Sequence, residues 1–308
     1  MLTVIASLIP VFLLIVLGYA LRRILLPKDD YWIGLEQLVY YVLFPALLIE
    51  TLGRANLASV PITGVGGAML LSVLIMGALC LALRPLLVRT LALSGPSFTS
   101  LFQGAVRWQT FVALSVVGNM LGDLGLAVAS VAMVAMIPVI NVMSVSVLAH
   151  FASPKKTSWS ATLLAIAKNP FIWGCLIGIA INVTKFPIPK PLYEFAGSLG
   201  HSSLAIGLLV VGAGLQLDGL KRPNAAVTLT VALKLIAMPI IAITLGWSFG
   251  LSGSNLAVVA CCASVPSASN AYVLARQMGG DAPLLAQILV LQTVVAAFTM
   301  PLFIALAG

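Results

Sequence analysis

The chain has 308 residues, of which 61% are hydrophobic and only 8% are charged, and its formal net charge is +8. A soluble domain carries about 25% charged residues, so this composition excludes an ordinary water-exposed surface and indicates an integral membrane protein. The basic residues lie in short gaps between apolar runs with few interleaved aromatic residues, so we interpret them as topology signals and expect no nucleic-acid partner.

Ten apolar runs are long enough to cross the hydrocarbon core of a bilayer, which takes roughly 20 helical residues. In chain order they cover residues 3–25, 33–52, 61–83, 99–119, 124–149, 165–183, 195–217, 225–249, 255–275 and 283–306. We therefore predict an all-α membrane protein with ten transmembrane helices. The first run lacks a preceding basic segment and a small-residue cleavage site, so we interpret it as a span and not as a signal peptide.

The distribution of Lys and Arg among the connections predicts the orientation, because cytoplasmic connections are enriched in basic residues. The odd-numbered connections contain eleven, namely Arg22, Arg23, Lys28, Arg84, Arg89, Lys155, Lys156, Lys168, Lys221, Arg222 and Arg276. The even-numbered connections contain three, namely Arg54, Lys185 and Lys190. This asymmetry predicts a multi-pass protein of the cytoplasmic membrane with both termini on the non-cytoplasmic side.

The basic connection at residues 150–164 divides the chain into two halves of five spans each. Because five is an odd number, the second half enters the membrane in the opposite orientation to the first, as in the inverted repeats of secondary transporters. We predict a first repeat at 1–149, a cytoplasmic linker at 150–164 and a second repeat at 165–308.

Polar residues cluster in the fourth and ninth spans, which hold equivalent places in the two halves. Polar groups are costly in hydrocarbon and mark substrate or ion pathways. The candidate substrate-binding residues are Arg107, Gln109, Thr110 and Ser115 in the fourth span, Lys234 in the eighth, and Ser264, Pro266, Ser267, Ser269 and Asn270 in the ninth. The sequence contains no phosphate loop, catalytic serine arrangement or metal-ligand spacing, so we expect neither an enzyme nor a metal site.

Pro266 predicts an interruption of the ninth helix. Proline removes a backbone donor and leaves carbonyl groups without partners, which is tolerated in a membrane only beside protein or a water-filled cavity. The half-helix that follows such a break points its N-terminus into the membrane, where its dipole and open amides suit an anion. A simple proline kink eased by the neighbouring serines is the alternative.

Arg107 and Lys234 are the two Lys or Arg residues that are not assigned to a connection, and both lie inside predicted spans. Arg107 could bind a carboxylate by paired hydrogen bonds, with Gln109 and Thr110 as neutral donors beside it, or it could snorkel to the inner interface. Lys234 could complement substrate charge, release a proton, or pair with freed carbonyls of a broken helix. The spacing leaves these alternatives open.

Several segments, taken together, resemble the auxin efflux carrier family, including its bacterial members. They are IPVFLLIVLGYALRR at 9–23, LVYYVLFPALLIETL at 38–52, KNPFIWGCLIGIAINV at 168–183, VVGAGLQL at 210–217, LKLIAMPII at 233–241 and VPSASNAYVLARQMGGDAPLLAQILVLQTVVAAFTMP at 265–301. The resemblance covers essentially the whole chain, and the last segment is the most specific.

The resemblance implies ten helices in two inverted repeats, with broken fourth and ninth helices that cross at the centre of a mobile transport domain. It matches Pro266 to the crossing proline of the ninth helix. In the fourth helix the family usually has an Asn-Thr pair followed by a Gly-x-Pro turn. This chain has Gln109-Thr110 and then Ala113-Leu114-Ser115, so that proline is missing.

The function that follows from this resemblance is secondary transport of a small organic anion, such as malonate, malate or an auxin-like acid, by an elevator-type mechanism. A sodium-coupled symporter of the bile-acid type, which shares ten helices and a crossover, is the alternative. We expect no cofactor, leave coupling to protons or sodium open, and name the organic anion, the lipid bilayer and a second copy of the chain as the partners to test.

Overall fold

The computed structural model describes residues 2–54, 61–152, 170–215, 224–268 and 270–308, and these residues form helices joined by short connections. The first seven helices are α1 (Leu2–Ile24), α2 (Asp29–Leu38), α3 (Phe44–Arg54), α4 (Ile62–Leu91), α5 (Gly95–Val106), α6 (Thr110–Phe151) and α7 (Pro170–Thr184). The other six are α8 (Lys190–Ala213), α9 (Ala225–Ala232), α10 (Met238–Ser248), α11 (Gly253–Ser264), α12 (Asn270–Met278) and α13 (Ala282–Ala307). Two π-helical turns, Val39–Leu43 and Leu233–Ala237, connect α2 to α3 and α9 to α10.

Long apolar helices confirm the prediction of an all-α membrane protein. Within the described ranges, six helical stretches are long and apolar enough to cross a bilayer, namely Asp29–Arg54, Ile62–Leu91, Gly95–Phe151, Lys190–Ala213, Ala225–Ser248 and Ala282–Ala307. Ile172–Thr184 and Gly253–Ser264 are shorter apolar helices. Helices occur in all ten predicted spans, although residues 165–169, 216–217 and 269 lie outside the described part. Predicted spans four and five fall in the single stretch Gly95–Phe151, so ten separate crossings stay a prediction.

The fourth and ninth spans are both interrupted, as the sequence predicts. Helix α5 ends at Val106 and α6 begins at Thr110, and helix α11 ends at Ser264 while α12 begins at Asn270. Arg107 and Val265, the first residues after the two helix ends, are both in extended conformation, with ψ of 159° and 152°. The fourth span therefore breaks without the proline that is usual in the family.

Several predicted boundaries are wrong by a few residues. Helix α6 continues to Phe151, past the predicted start of the linker at 150, and the rest of that linker, from residue 153, lies outside the described residues. Helix α4 continues to Leu91, so Arg84 and Arg89 belong to the helix and not to a connection. Long side chains at a helix end can place their charge at the interface while the backbone remains helical.

Two groups of helices pack more densely within themselves than against each other. The first group is α1, α3, α7 and α8, and the second is α4, α5, α6, α10, α11 and α13. Glycines explain the close packing of the first group. A Cβ on Gly212 would lie 1.8 Å from the Ile15 carbonyl oxygen, and one on Gly18 would lie 2.1 Å from that of Leu209. Helices α1 and α8 thus touch backbone to backbone, a contact typical of small residues in membrane helices.

A constant spacing relates elements of the two halves. Ser94 and Ser252 precede α5 and α11, which have twelve residues each, and these two serines are 158 positions apart. The helix ends at Val106 and Ser264 keep the same spacing. Asp123 follows the non-helical Gly122 inside α6, and its counterpart 158 positions later, Asp281, precedes α13.

Candidate functional site

The two helix breaks lie against each other in the interior of the second helix group. The backbone amide of Gln109, in the first break, donates a hydrogen bond to the carbonyl of Pro266, in the second, at 3.1 Å. Gln109 and Pro266 are both buried. Unwound backbone at this depth is tolerated where protein satisfies its polar groups, so the hydrogen bonds of the two breaks explain how they persist.

Trp108 replaces the hydrogen bond that Pro266 removes. In a continuous helix the amide of residue 266 would donate to the carbonyl of Cys262, but proline has no amide hydrogen. The indole Nε1 of Trp108 donates to that carbonyl at 2.7 Å. The indole of Trp108 is the group that sequence reasoning missed here, because only the fold brings position 108 to position 262.

The equivalent carbonyl in the first break belongs to Gly104 and is satisfied from the second break. Ser267 Oγ donates to it at 2.5 Å, and Gln292 Nε2 on α13 donates to it at 2.8 Å. Gln292 also accepts from the backbone amide of Ser267 at 3.0 Å. Gln292 is thus hydrogen-bonded to both breaks at once.

Arg107 is the charged group of this crossing. Its side chain is 5% exposed, and its guanidinium donates to Asn141 Oδ1 at 2.9 Å and to Asn270 Oδ1 at 3.4 Å. The Tyr40 side chain is close enough to the Arg107 guanidinium to interact with it electrostatically. The guanidinium remains inside the protein, so it does not snorkel to the interface in this conformation.

The positive charge of Arg107 has no carboxylate partner within the described part of the chain. The ion pairs found there are Arg22–Asp29, Arg54–Glu50 and Lys190–Glu194, none of which lies at the crossing. Asn141 and Asn270 supply neutral oxygens that satisfy N–H groups but leave the charge uncompensated. A buried charge is costly unless it is paired, so this arrangement suits an external anion.

Lys234 lies beside the same crossing. It belongs to the π-helical turn Leu233–Ala237, and its side chain is 1% exposed. The Lys234 side chain is also close enough to that of Cys262 to interact with it electrostatically. The Cys262 carbonyl is the one that Trp108 caps, so Lys234 and Arg107 approach the crossing from different helices. No ion pair of Lys234 occurs within the described residues.

The half-helices that begin after the breaks add two further positive ends. Helix α6 starts at Thr110 and α12 starts at Asn270, and Gln109 of the first break contacts Pro266 of the second. The first amides of a helix have no intrahelical acceptor, and the helix dipole places partial positive charge there. These helix ends and Arg107 together can stabilise a carboxylate by amide and guanidinium hydrogen bonds.

The other predicted residues are distributed unevenly about the crossing. Thr110 is buried at the start of α6. Ser264 is buried, but its hydroxyl donates to the Ala260 carbonyl of its own helix. Ser115 is buried more than one turn beyond the first break, without a hydrogen-bond partner among the described residues. Ser269 lies outside the described residues, so its proposed role stays a prediction.

Comparison with known proteins shows which family and which relatives the chain resembles. A family model described as membrane transport protein matches residues 153–304. The second half of the chain is therefore similar to this membrane transport protein family. The chain is 25% identical over 304 residues to an uncharacterised transporter from Methanothermobacter thermautotrophicus, with 96% of each chain covered. It is 26% identical over 283 residues to a protein from Rhizobium meliloti that carries the provisional name malonate transporter, covering 88% of this chain and 85% of that one.

These relatives extend the family likeness beyond the matched segment. The family model covers the second break and Gln292 but not Arg107, whereas both relatives align over most of the chain. The apolar helices and these likenesses indicate a multi-pass membrane transporter, and both relatives are named as transporters. The finding confirms the resemblance to the auxin efflux carrier type that the sequence segments indicate.

Proposed function

We propose that the protein is a secondary carrier of a small organic carboxylate, with Arg107 as the group that binds the substrate's charge. The observation that carries the proposal is a buried guanidinium held by two neutral amide oxygens, Asn141 and Asn270, at the point where two helix breaks meet. A carboxylate there would complete the charge balance that the described residues leave open. Malonate is the first substrate to test, because one relative is provisionally named for it.

The arrangement of the helices supports an elevator-type movement. In this proposal α1, α3, α7 and α8 form a scaffold, and the second helix group, which contains the crossing, moves against it. The constant spacing of 158 residues between equivalent features supports ten spans in two inverted repeats, at 1–149 and 165–308. Alternating access by movement of one bundle against another around a central site is common in such transporters.

The orientation, location and assembly also belong to this proposal. The excess of basic residues in the odd-numbered connections supports a position in the cytoplasmic membrane with both termini outside the cytoplasm. A homodimer would be formed by a second copy of the chain, and crosslinking in native membranes would test it. The coupling ion would be identified by comparing uptake under a sodium gradient with uptake under a proton gradient.

Counterflow of malonate into proteoliposomes tests the function. Vesicles that contain unlabelled malonate should accumulate external labelled malonate faster than empty vesicles, because a carrier exchanges its substrate whereas a channel does not. Arg107→Gln should lower malonate affinity about 10- to 150-fold, since charge-assisted hydrogen bonds contribute about 1.5–3 kcal/mol. Arg107→Lys should rescue part of the loss, because it keeps the charge but not the planar fork.

Arg84→Gln is the matched control. The Arg84 guanidinium lies over the Phe151 ring at 4.1 Å, near the end of α6 and away from the crossing, so this variant should keep wild-type affinity. Equal affinity of Arg107→Gln and wild type for every transported carboxylate would refute the role of Arg107. Absence of accelerated exchange for any carboxylate would refute the carrier itself.

A further inference from the structure

Two buried polar side chains beside Arg107 take no part in the hydrogen bonds of the crossing. Gln103 on α5 and Ser144 on α6 are each 0% exposed. Among the described residues, neither amide atom of Gln103 nor the hydroxyl of Ser144 has a hydrogen-bond partner. Native proteins leave few such groups unpaired, so two of them in neighbouring helices point to a missing polar ligand.

The packing of α5 on α6 places Gln103 and Ser144 at similar positions along the two helix axes. The helices are antiparallel. Arg107 is hydrogen-bonded to Asn141 at one end, and the Phe98 and Phe151 rings meet edge to face at the other, with 5.4 Å between their centroids. Gln103 lies one turn before Arg107, and its carbonyl accepts the Arg107 amide at 3.0 Å. Ser144 lies three residues after Asn141, in the same direction. At a rise of about 1.5 Å per residue, Ser144 lies about 4.5 Å and Gln103 about 6 Å along the helix axes from the hydrogen-bonded Arg107 and Asn141.

We infer that Gln103 and Ser144 bind a second, uncharged oxygen-containing group of the substrate whose carboxylate binds Arg107. The inference rests on the proposed carboxylate site and narrows its substrate class to acids that carry a hydroxyl, a carbonyl or a protonated second carboxyl near the carboxylate. Gln103 can donate and accept, and Ser144 can do both through one hydroxyl, which suits each of these groups.

The charges of the neighbourhood exclude two other occupants. A small cation would lie about one helical turn from the Arg107 guanidinium, whose like charge disfavours it. An ionised second carboxylate would add a second negative charge, whereas the single Arg107 guanidinium already balances the first carboxylate and Gln103 and Ser144 carry no charge, so its burial is costly. The uncharged second group is the one that the described residues can satisfy.

A pair of acids that differ by one hydroxyl tests the inference. Binding of lactate and propionate to the purified protein is measured for wild type, Gln103→Met and Ser144→Ala. Wild type should bind lactate at least tenfold more tightly than propionate, because a site built to hydrogen-bond a hydroxyl rejects the analogue that lacks it. Gln103→Met, which keeps the side-chain length, should reduce this ratio to about two or less and leave propionate affinity unchanged.

The outcomes separate this inference from the proposed function. A lactate-to-propionate ratio in Gln103→Met equal to the wild-type ratio would refute the inference and leave the carboxylate site intact. An equal loss of affinity for both acids would refute it too, because it would indicate a structural role. The milder Ser144→Ala variant should lower the same ratio, which keeps the test valid if Gln103→Met does not fold. If the wild-type protein binds no carboxylate and gives the same binding signal as Arg107→Gln, both proposals are refuted.

Discussion

Replacing Gln292 by methionine keeps the length of the side chain and removes both of its hydrogen bonds. Gln292 donates to the Gly104 carbonyl at 2.8 Å and accepts from the Ser267 amide at 3.0 Å, and it is completely buried. Hydrogen bonds between membrane helices contribute about 0.6–1.7 kcal/mol each, so the loss of two should cost about 1–3 kcal/mol. This corresponds to roughly a 5- to 150-fold change in the folding equilibrium.

Reversible unfolding in mixed detergent, followed by circular dichroism, measures this cost. Gln287→Met is the matched control, because Gln287 is a half-buried glutamine on the same helix that takes no part in these hydrogen bonds. If the two variants unfold at the same detergent composition, Gln292 does not clamp the breaks.

A double-mutant cycle with Ser267→Ala sharpens the test. The Gly104 carbonyl accepts from both Ser267 and Gln292, so each single variant leaves it one donor and the double variant leaves it none. The double variant should therefore lose more stability than the two single variants together, by about 0.5 kcal/mol or more. An additive cycle would refute the idea that the two donors share one carbonyl.

Two further substitutions test other contacts of the fold. Gly212→Ala should destabilise the protein by about 1–3 kcal/mol, because the new Cβ would lie 1.8 Å from the Ile15 carbonyl oxygen. The melting temperature of this variant is compared with that of Gly34→Ala, where the new Cβ would have nothing within 4 Å. Asp281→Ala should cost about 0.5–2 kcal/mol, because Asp281 caps α13 at the Leu284 amide and accepts from Ser97 of α5 at 2.8 Å. Asp281→Asn, which keeps the cap, is its control. Equal melting temperatures of Asp281→Ala and Asp281→Asn would contradict the role of the cap.

The sequence predicts the helices and the break at Pro266 well, because both depend on local chemistry. Apolar length decides whether a helix can cross a bilayer, and a proline in a helix removes one backbone hydrogen bond, which favours a break. Proline alone does not enforce it, because Pro10, Pro85, Pro138 and Pro301 lie inside helices that continue. The break in the fourth span has no such local cause. It is stabilised by Ser267 and Gln292, which supply donors to the Gly104 carbonyl from 163 and 188 residues away.

The candidate site was predictable in part for the same reason. Arg107 is costly in a membrane wherever its side chain points, so its presence alone marks it. Serines do not carry such a signal, because a serine in a helix can bond the carbonyl four residues before it, as Ser264 does with Ala260. Trp108 and Gln292 are typical interior residues by sequence, and only their contacts across the crossing reveal what they do.

The two halves share a backbone pattern but not a charge pattern. Positions 158 residues apart keep equivalent helix starts, helix ends and breaks, yet the counterpart of Arg107 is Val265, and that of its acceptor Asn141 is Thr299. Two guanidiniums facing each other across the crossing would repel, whereas one guanidinium balances one carboxylate. The repeated backbone therefore explains where a substrate can enter the membrane interior. In the proposed carrier, the chemistry that selects an anion would come from the residues in which the two halves differ.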